Sequence, residues 1–122
     1  MKSKTLILVA GMFTLLLTFS CKKDKVSTGI VNSDCADTIS FSATVLPLIT
    51  QNCSTSGCHD ANSGSAGYTL TSHQDISPSA SQVLGAMRHD AGFAPMPEGA
   101  PKLADSLIQY VECWISQGKL NN

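Results

Sequence analysis

The sequence predicts a small all-α domain built from three to four short helices. The chain has 122 residues, a length that suits one domain. Three segments carry apolar residues at helical spacing, and the clearest of them covers residues 103–115. The stretches that separate these segments are rich in Gly, Ser, Asn and Pro, a composition typical of loops.

The first predicted helix runs from a cap at Ser42 to about Asn52. Pro47 is unusual inside a helix but is tolerated in its first turns. One face of this helix is apolar, formed by Val45, Leu46, Leu48 and Ile49. The helix therefore leads the chain into the segment that begins at Cys53.

The second helix is predicted to start at Ser77-Pro78, because a serine cap followed by proline at the first helical position is a common helix start. It should end near Arg88-His89, with Val83, Leu84 and Met87 on one side.

The last helix should begin at Ala104 or Asp105 and end at Gly118. Its apolar face is formed by Leu103, Leu107, Ile108, Val111, Trp114 and Ile115. We also expect Tyr110 to lie in the core with Trp114.

Residues 1–20 have the pattern of a signal peptide. Lys2 and Lys4 precede an apolar run that ends in Ser20-Cys21, and the run is shorter than the roughly 20 residues that a transmembrane helix needs. The Ser-Cys ending resembles a bacterial lipoprotein signal, in which the cysteine is acylated. Lipidation of Cys21 and plain secretion are both open, and each places the mature chain outside the cytoplasm.

Residues 21–39 form a polar tether, and residues 40–122 form the folded domain. Without Lys2 and Lys4 the chain has six basic and nine acidic residues, a net charge of −3. From Cys35 onward three basic residues stand against seven acidic ones. This balance argues against nucleic-acid binding, which needs a basic surface to neutralise phosphates.

The most informative segment is Cys53-Ser54-Thr55-Ser56-Gly57-Cys58-His59. Two thiols close in sequence, with a histidine directly after the second, are the arrangement that attaches a c-type haem. The cysteines bond to the porphyrin, and His59 ligates the iron. The spacer has four residues instead of the usual two, and we expect the extra pair to loop outward.

Met96 is the predicted second iron ligand. It stands between Pro95 and Pro97, whose fixed φ angles give it a stiff backbone. Methionine sulfur favours reduced iron, so a His/Met pair raises the reduction potential. The rivals for this position are His89, His73 and Met87. Of these, Met87 has the spacing of a core residue, and His73 is expected at the surface.

Two further pairs of residues leave alternatives open. Tyr68 and Leu70 either lie along a haem edge or pack as ordinary loop residues. Cys35 and Cys113 form either a disulfide or two buried thiols, and a domain this small usually needs such a staple.

Two other classes of site compete with haem. In one, zinc is held by Cys53, Cys58 and His59, with His73 or His89 as the fourth ligand. In the other, Cys53 and Cys58 form a disulfide in a secreted binding module without a cofactor. The first is geometrically difficult, because adjacent Cys58 and His59 would both have to point at one tetrahedral ion.

Residues 40–122 resemble a small monohaem cytochrome c domain of the kind found on exported lipoproteins of Gram-negative bacteria. The resemblance covers about two-thirds of the chain. It rests on Val45-Leu46-Pro47, Cys53-x4-Cys58-His59, Tyr68-Thr69-Leu70, Pro95-Met96-Pro97 and Trp114-Ile115-Ser116-Gln117-Gly118 with Asn121-Asn122.

The resemblance implies a class I cytochrome c-like fold with one haem c between His59 and Met96, carrying one electron at a time. With both axial positions filled, the iron has no vacant site for a substrate, so an electron carrier is expected and not an enzyme. Its expected partners are redox proteins of the cell envelope. We expect a monomer, periplasmic or attached to the outer membrane through lipid on Cys21.

Overall fold

The computed structural model describes residues 35–122, so the predictions for the signal segment, for Cys21 and for most of the tether lie outside the described residues. The described part contains three α-helices: α1 (Leu46–Asn52), α2 (His73–Arg88) and α3 (Asp105–Ser116). A π-helical turn, Phe41–Val45, leads directly into α1, and a short 3-10 turn, Ser65–Gly67, follows it. Residues 35–122 include no β-strand, which confirms the all-α class.

The π-helical turn before α1 accommodates Pro47. Proline has no N–H to donate, and its ring presses on the carbonyl four residues earlier. The turn is wide, because the Val45 N–H donates to the Ser40 carbonyl five residues back at 3.3 Å. The helical segment is capped by Ser40, whose Oγ accepts the Ala43 N–H at 3.2 Å, and not by Ser42 as predicted.

The predicted start of α2 is wrong. The helix begins at His73 with Ser72 as its N-cap, and Pro78 lies in its second turn. Ser72 Oγ accepts the Asp75 N–H at 3.3 Å and donates to the Asp75 carboxylate at 2.7 Å. This reciprocal pair favours Ser72 over Ser77 as the cap, because the residue three positions after Ser77 is Ala80, which has no side chain that could bond back to the serine.

One hydrophobic core lies between the three helices. The π-helical turn that precedes α1 contacts α3, and α2 packs along α3. The largest fully buried side chains are Trp114, Ile49, Ile76, Met87, Val45 and Val111. Tyr110 was predicted to lie in this core, but it is 44% exposed. It precedes buried Val111 by one residue, which places its side chain about 100° round the helix from that of Val111.

The two ends of the described chain are tied to each other. A disulfide joins Cys35 to Cys113 on α3, so the alternative of two buried thiols does not apply. The Gln117 side chain donates to the Asp37 carbonyl and accepts the Ile39 N–H, both at 2.8 Å. These contacts hold the entry segment against the end of α3.

His73 was predicted to lie at the surface, but it is half-buried. Its ring stands edge-on to Phe41, with the centroids 4.9 Å apart, and edge-on to Trp114 at 5.8 Å. Nε2 lies 2.8 Å from the Lys119 carbonyl. This imidazole is therefore part of the packing around Trp114.

No helix among residues 35–122 has the length and apolar character needed to cross a bilayer.

Candidate functional site: the 53–59 loop and Met96

The two cysteines of the motif lie in different environments. Cys53 follows α1 and is buried, whereas Cys58 is exposed, and neither is in a disulfide. Burial, with a smaller contribution from the nearby Cys58, raises the pKa of the Cys53 thiol to about 11. Cys53 is therefore a protonated thiol at neutral pH.

The four-residue spacer folds into a closed turn. The His59 N–H donates to the Cys53 carbonyl at 3.1 Å, which brings the two ends of the motif together. Within the turn the Cys58 N–H donates to the Thr55 carbonyl at 2.9 Å, and Gly57 adopts a φ of 84°. The extra residues thus loop outward, in agreement with the prediction, because glycine takes the left-handed conformation that the turn requires.

Asp60 holds this turn from the outside. Its Oδ2 accepts the Gly57 N–H at 2.9 Å, and its Oδ1 accepts the N–H groups of Asn62 at 2.8 Å and Ser63 at 3.1 Å. Hydrogen bonds to the charged carboxylate, chiefly from the Ser63 side chain and the Asn62 backbone, lower the pKa of Asp60 to about 2.

The His59 imidazole is fixed by the backbone beyond the motif. Its Nδ1 lies 3.0 Å from the Tyr68 carbonyl, and the Leu70 N–H donates to the His59 carbonyl at 2.9 Å. A carbonyl only accepts hydrogen bonds, so Nδ1 carries the proton and donates. The lone pair of Nε2 is left for a metal, which is how ligating histidines are usually oriented.

Tyr68 and Leu70 lie in different environments, one exposed and the other buried. Tyr68 is 38% exposed, and its ring stands edge-on to His59 with the centroids 6.4 Å apart. Leu70 is 3% exposed and belongs to the hydrophobic core, and its carbonyl accepts a hydrogen bond from Ser54 Oγ. Tyr68 is therefore at the surface beside His59, and Leu70 anchors the end of the loop.

Met96 lies in the segment that joins α2 to α3. The residue is half-buried, its N–H donates to the Ala86 carbonyl at 3.0 Å, and its carbonyl lies 3.1 Å from Nε2 of His89. These hydrogen bonds use the backbone of Met96 and do not involve the thioether.

The rivals of Met96 have other contacts. The Nε2 atoms of His89 and His73 face the carbonyls of Met96 and Lys119. Met87 is 1% exposed in the core, as its spacing predicted.

The zinc and disulfide alternatives gain no support from this geometry. Among residues 35–122 no three His, Cys, Asp or Glu side chains converge as a metal site would require. Cys53 and Cys58 are not bonded to each other. In the described chain, no hydrogen bond, ion pair or ring contact joins the 53–59 loop to Met96.

A shallow groove of about 680 Å³ lies elsewhere, beside the disulfide. Two ion pairs line it, Arg88 with Glu112 and Lys102 with Asp105. None of the residues predicted to bind haem or iron is among those that line this groove.

The sequence analysis did not single out two residues that hold the 53–59 loop in shape. They are Ser54, within the loop, and Asp60, directly after it. A signal for Asp60 was present, because an aspartate followed two and three residues later by Asn62 and Ser63 commonly caps its own turn.

No known protein family, curated protein or solved structure matches this chain. The function is therefore inferred from the residues of the site, together with the resemblance that its motifs carry.

Proposed function

We propose that this protein is an exported electron carrier with one covalently attached c-type haem, ligated by His59 and Met96. The observation that carries the proposal is the orientation of His59. His59 directly follows the second of two unpaired cysteines, and its Nδ1 donates to the Tyr68 carbonyl. Its Nε2 is therefore left free to bind a metal.

The pattern of cysteine pairing supports covalent attachment. Cys35 and Cys113 form a disulfide, as expected of a protein that folds in an oxidising compartment. Cys53 and Cys58 lie close enough for Cys58 to affect the pKa of Cys53, and yet they are unpaired. Two unpaired thiols on a closed turn, next to an oriented imidazole, are the donor set that a c-type haem requires.

Each residue then has a distinct role. Cys53 and Cys58 would bond covalently to the porphyrin, and His59 would bind the iron through Nε2. The Met96 thioether would bind the same iron, and its soft sulfur would stabilise the reduced state and raise the potential. When bound, the haem would supply a one-electron iron couple. With two iron ligands supplied by the chain, electron transfer is favoured over catalysis on a substrate.

The finer fold and the cellular setting belong to the same proposal. Three short helices with a loop between α1 and α2 are compatible with a class I cytochrome c-like fold around one haem. The mature chain is a monomer held at the cell envelope through lipid on Cys21. It exchanges electrons there with other redox proteins, in the periplasm or at the outer membrane.

The decisive experiment is a haem stain and a visible spectrum of the full chain, expressed in a host that attaches c-type haem. We expect a stained band in the membrane fraction and an absorption spectrum that survives extraction with acidified acetone. Cys58→Ser should prevent full attachment. Ser56→Ala, an exposed change in the same turn, should leave attachment intact.

A colourless protein from such a host would contradict the proposal. Metal analysis then separates the remaining alternatives: zinc at one ion per chain would indicate a zinc site. Neither haem nor zinc would leave a binding module stabilised by the Cys35–Cys113 disulfide.

A further inference from the structure

The segment that carries Met96 is bound to the last turn of α2. The Met96 N–H donates to the Ala86 carbonyl at 3.0 Å, and the Asp90 N–H donates to the Gly85 carbonyl at 3.0 Å. A second contact to Met96 comes from His89, whose Nε2 lies 3.1 Å from the Met96 carbonyl. The backbone of Met96 is thus held on both sides of its α-carbon.

Gly85 provides space for an aromatic ring of the same segment. A Cβ atom at position 85 would lie 2.7 Å from two ring carbons of Phe93 and 2.8 Å from a third, closer than real Cβ atoms approach. Gly85 is buried, whereas Phe93 is 42% exposed, so this helix face supports one side of the ring. Glycine inside a helix is less favourable than alanine, and the ring accounts for its presence here.

His89 combines two functions at the end of α2. It caps the helix with a φ of 59°, in the left-handed region that only a few residue types adopt readily. This conformation directs the chain back over residues 85–88. Because the Met96 carbonyl only accepts hydrogen bonds, Nε2 of His89 is the donor.

From these contacts we infer that Gly85 and His89 are positioning residues for Met96. They hold the backbone of Met96 while its thioether remains available to the iron. This inference rests on the proposed His59 and Met96 ligation. It adds that the helix turn at residues 85–89, and not the flanking prolines alone, determines whether the thioether stays bound.

The test compares Gly85→Ala with the native protein in the haem-loaded full chain. Alanine favours the helix but displaces the Phe93 ring. We expect covalent haem to be retained, the weak far-red band of methionine-ligated ferric iron to be lost, and imidazole to bind the ferric iron at least about tenfold more tightly. Amide exchange at Met96 should become faster while exchange at His59 does not change.

Two further variants complete the test. His89→Asn keeps a residue that tolerates the left-handed conformation but shortens the donor, and it should tighten imidazole binding about fivefold, as expected for one lost hydrogen bond. Ser81→Ala, on the exposed side of α2, is the control and should change neither the band nor the exchange rates.

The outcomes separate the two proposals. If Gly85→Ala keeps the far-red band and native imidazole affinity, or if Met96 exchange is unchanged, the positioning role is wrong while the haem proposal stands. If the native protein binds haem but lacks the band, Met96 is not the ligand and the inference fails with that assignment. A colourless native protein overturns both.

Discussion

The 53–59 loop and the Met96 segment present the two predicted iron ligands, but they are held in different ways. The loop is held by several hydrogen bonds, to the Asp60 carboxylate and to the carbonyls of Tyr68 and Leu70. Met96 is held by two, to Ala86 in the last turn of α2 and to His89, which caps that helix.

The difference predicts unequal robustness. Both sets of contacts are local in sequence, but the loop has more of them, so it should keep its shape when any one contact is lost. A segment seated on one helix turn follows any displacement of that turn. We therefore expect damage to the fold to affect Met96 first and His59 last.

The largest expected effect comes from removing the Cys35–Cys113 disulfide, which stabilises the whole fold and with it both regions. The double variant Cys35→Ala/Cys113→Ala opens a link across 78 residues and should reduce the free energy of unfolding by about 4 kcal/mol. Denaturant unfolding measures the loss. Amide exchange then tests the comparison: if His59 loses protection before Met96, the ranking of the two regions is wrong.

A smaller effect is expected for Ser54→Ala, which removes the hydrogen bond from Ser54 Oγ to the Leu70 carbonyl. The cost should be about 1–2 kcal/mol, because a partly buried carbonyl loses its partner. Amide exchange should increase at Leu70 and remain native at Met96. Ser56→Ala serves as the exposed control within the same turn, and equal effects of the two variants would contradict the assignment.

Met96→Leu should change ligation more than stability. Leucine conserves the apolar volume of a half-buried side chain, so the unfolding free energy should change by less than about 1.5 kcal/mol. The far-red band should disappear completely while covalent haem remains. Persistence of that band would show that the sulfur of another methionine, such as Met87, binds the iron.

The smallest effect at neutral pH is expected for Asp60→Asn, because this carboxylate lies in contact with solvent. Folding lowers the pKa of Asp60 from 3.8 to about 2, so the ionised group stabilises the folded state above pH 4. The stability difference between native protein and variant should be constant near neutral pH and should shrink as the pH falls from about 4 to about 2. A difference that grows on acidification would contradict the network around Asp60.

The sequence predicted the helices well where their apolar spacing was uninterrupted. α3 begins and ends within two residues of its predicted bounds, because Ile108, Val111 and Trp114 define its buried face. The predicted start of α2 was wrong because two serines that could cap the helix, Ser72 and Ser77, lie within six residues of each other. Only the contacts of Ser72 with Asp75 decide between them. Tyr110 was misplaced because it stands at the edge of the apolar face.

The motif residues of the candidate site could be predicted from the sequence, but the hydrogen bonds and packing that hold them in place could not. Motif spacing predicted that Cys53, Cys58 and His59 act together, and a hydrogen bond from His59 to the Cys53 carbonyl brings the two ends of the motif close to each other. The bond between His59 and the Tyr68 carbonyl depends on how the following loop folds back, which no local pattern encodes. The fit of Phe93 against Gly85 likewise depends on the path of the chain after α2.

The disulfide fixes Cys35 to α3, so the part of the chain held against the folded domain begins at residue 35 and not at the first helical residue, Phe41. For the proposed lipid-anchored protein, this position sets how far the domain can lie from the membrane. If lipid is attached to Cys21, only thirteen residues separate it from Cys35, and the fourteen Cα-to-Cα steps between the two cysteines span at most about 50 Å when fully extended. If the chain is the lipid-anchored electron carrier that we propose, its redox partners must reach a domain whose residue 35 lies within that distance of the bilayer surface.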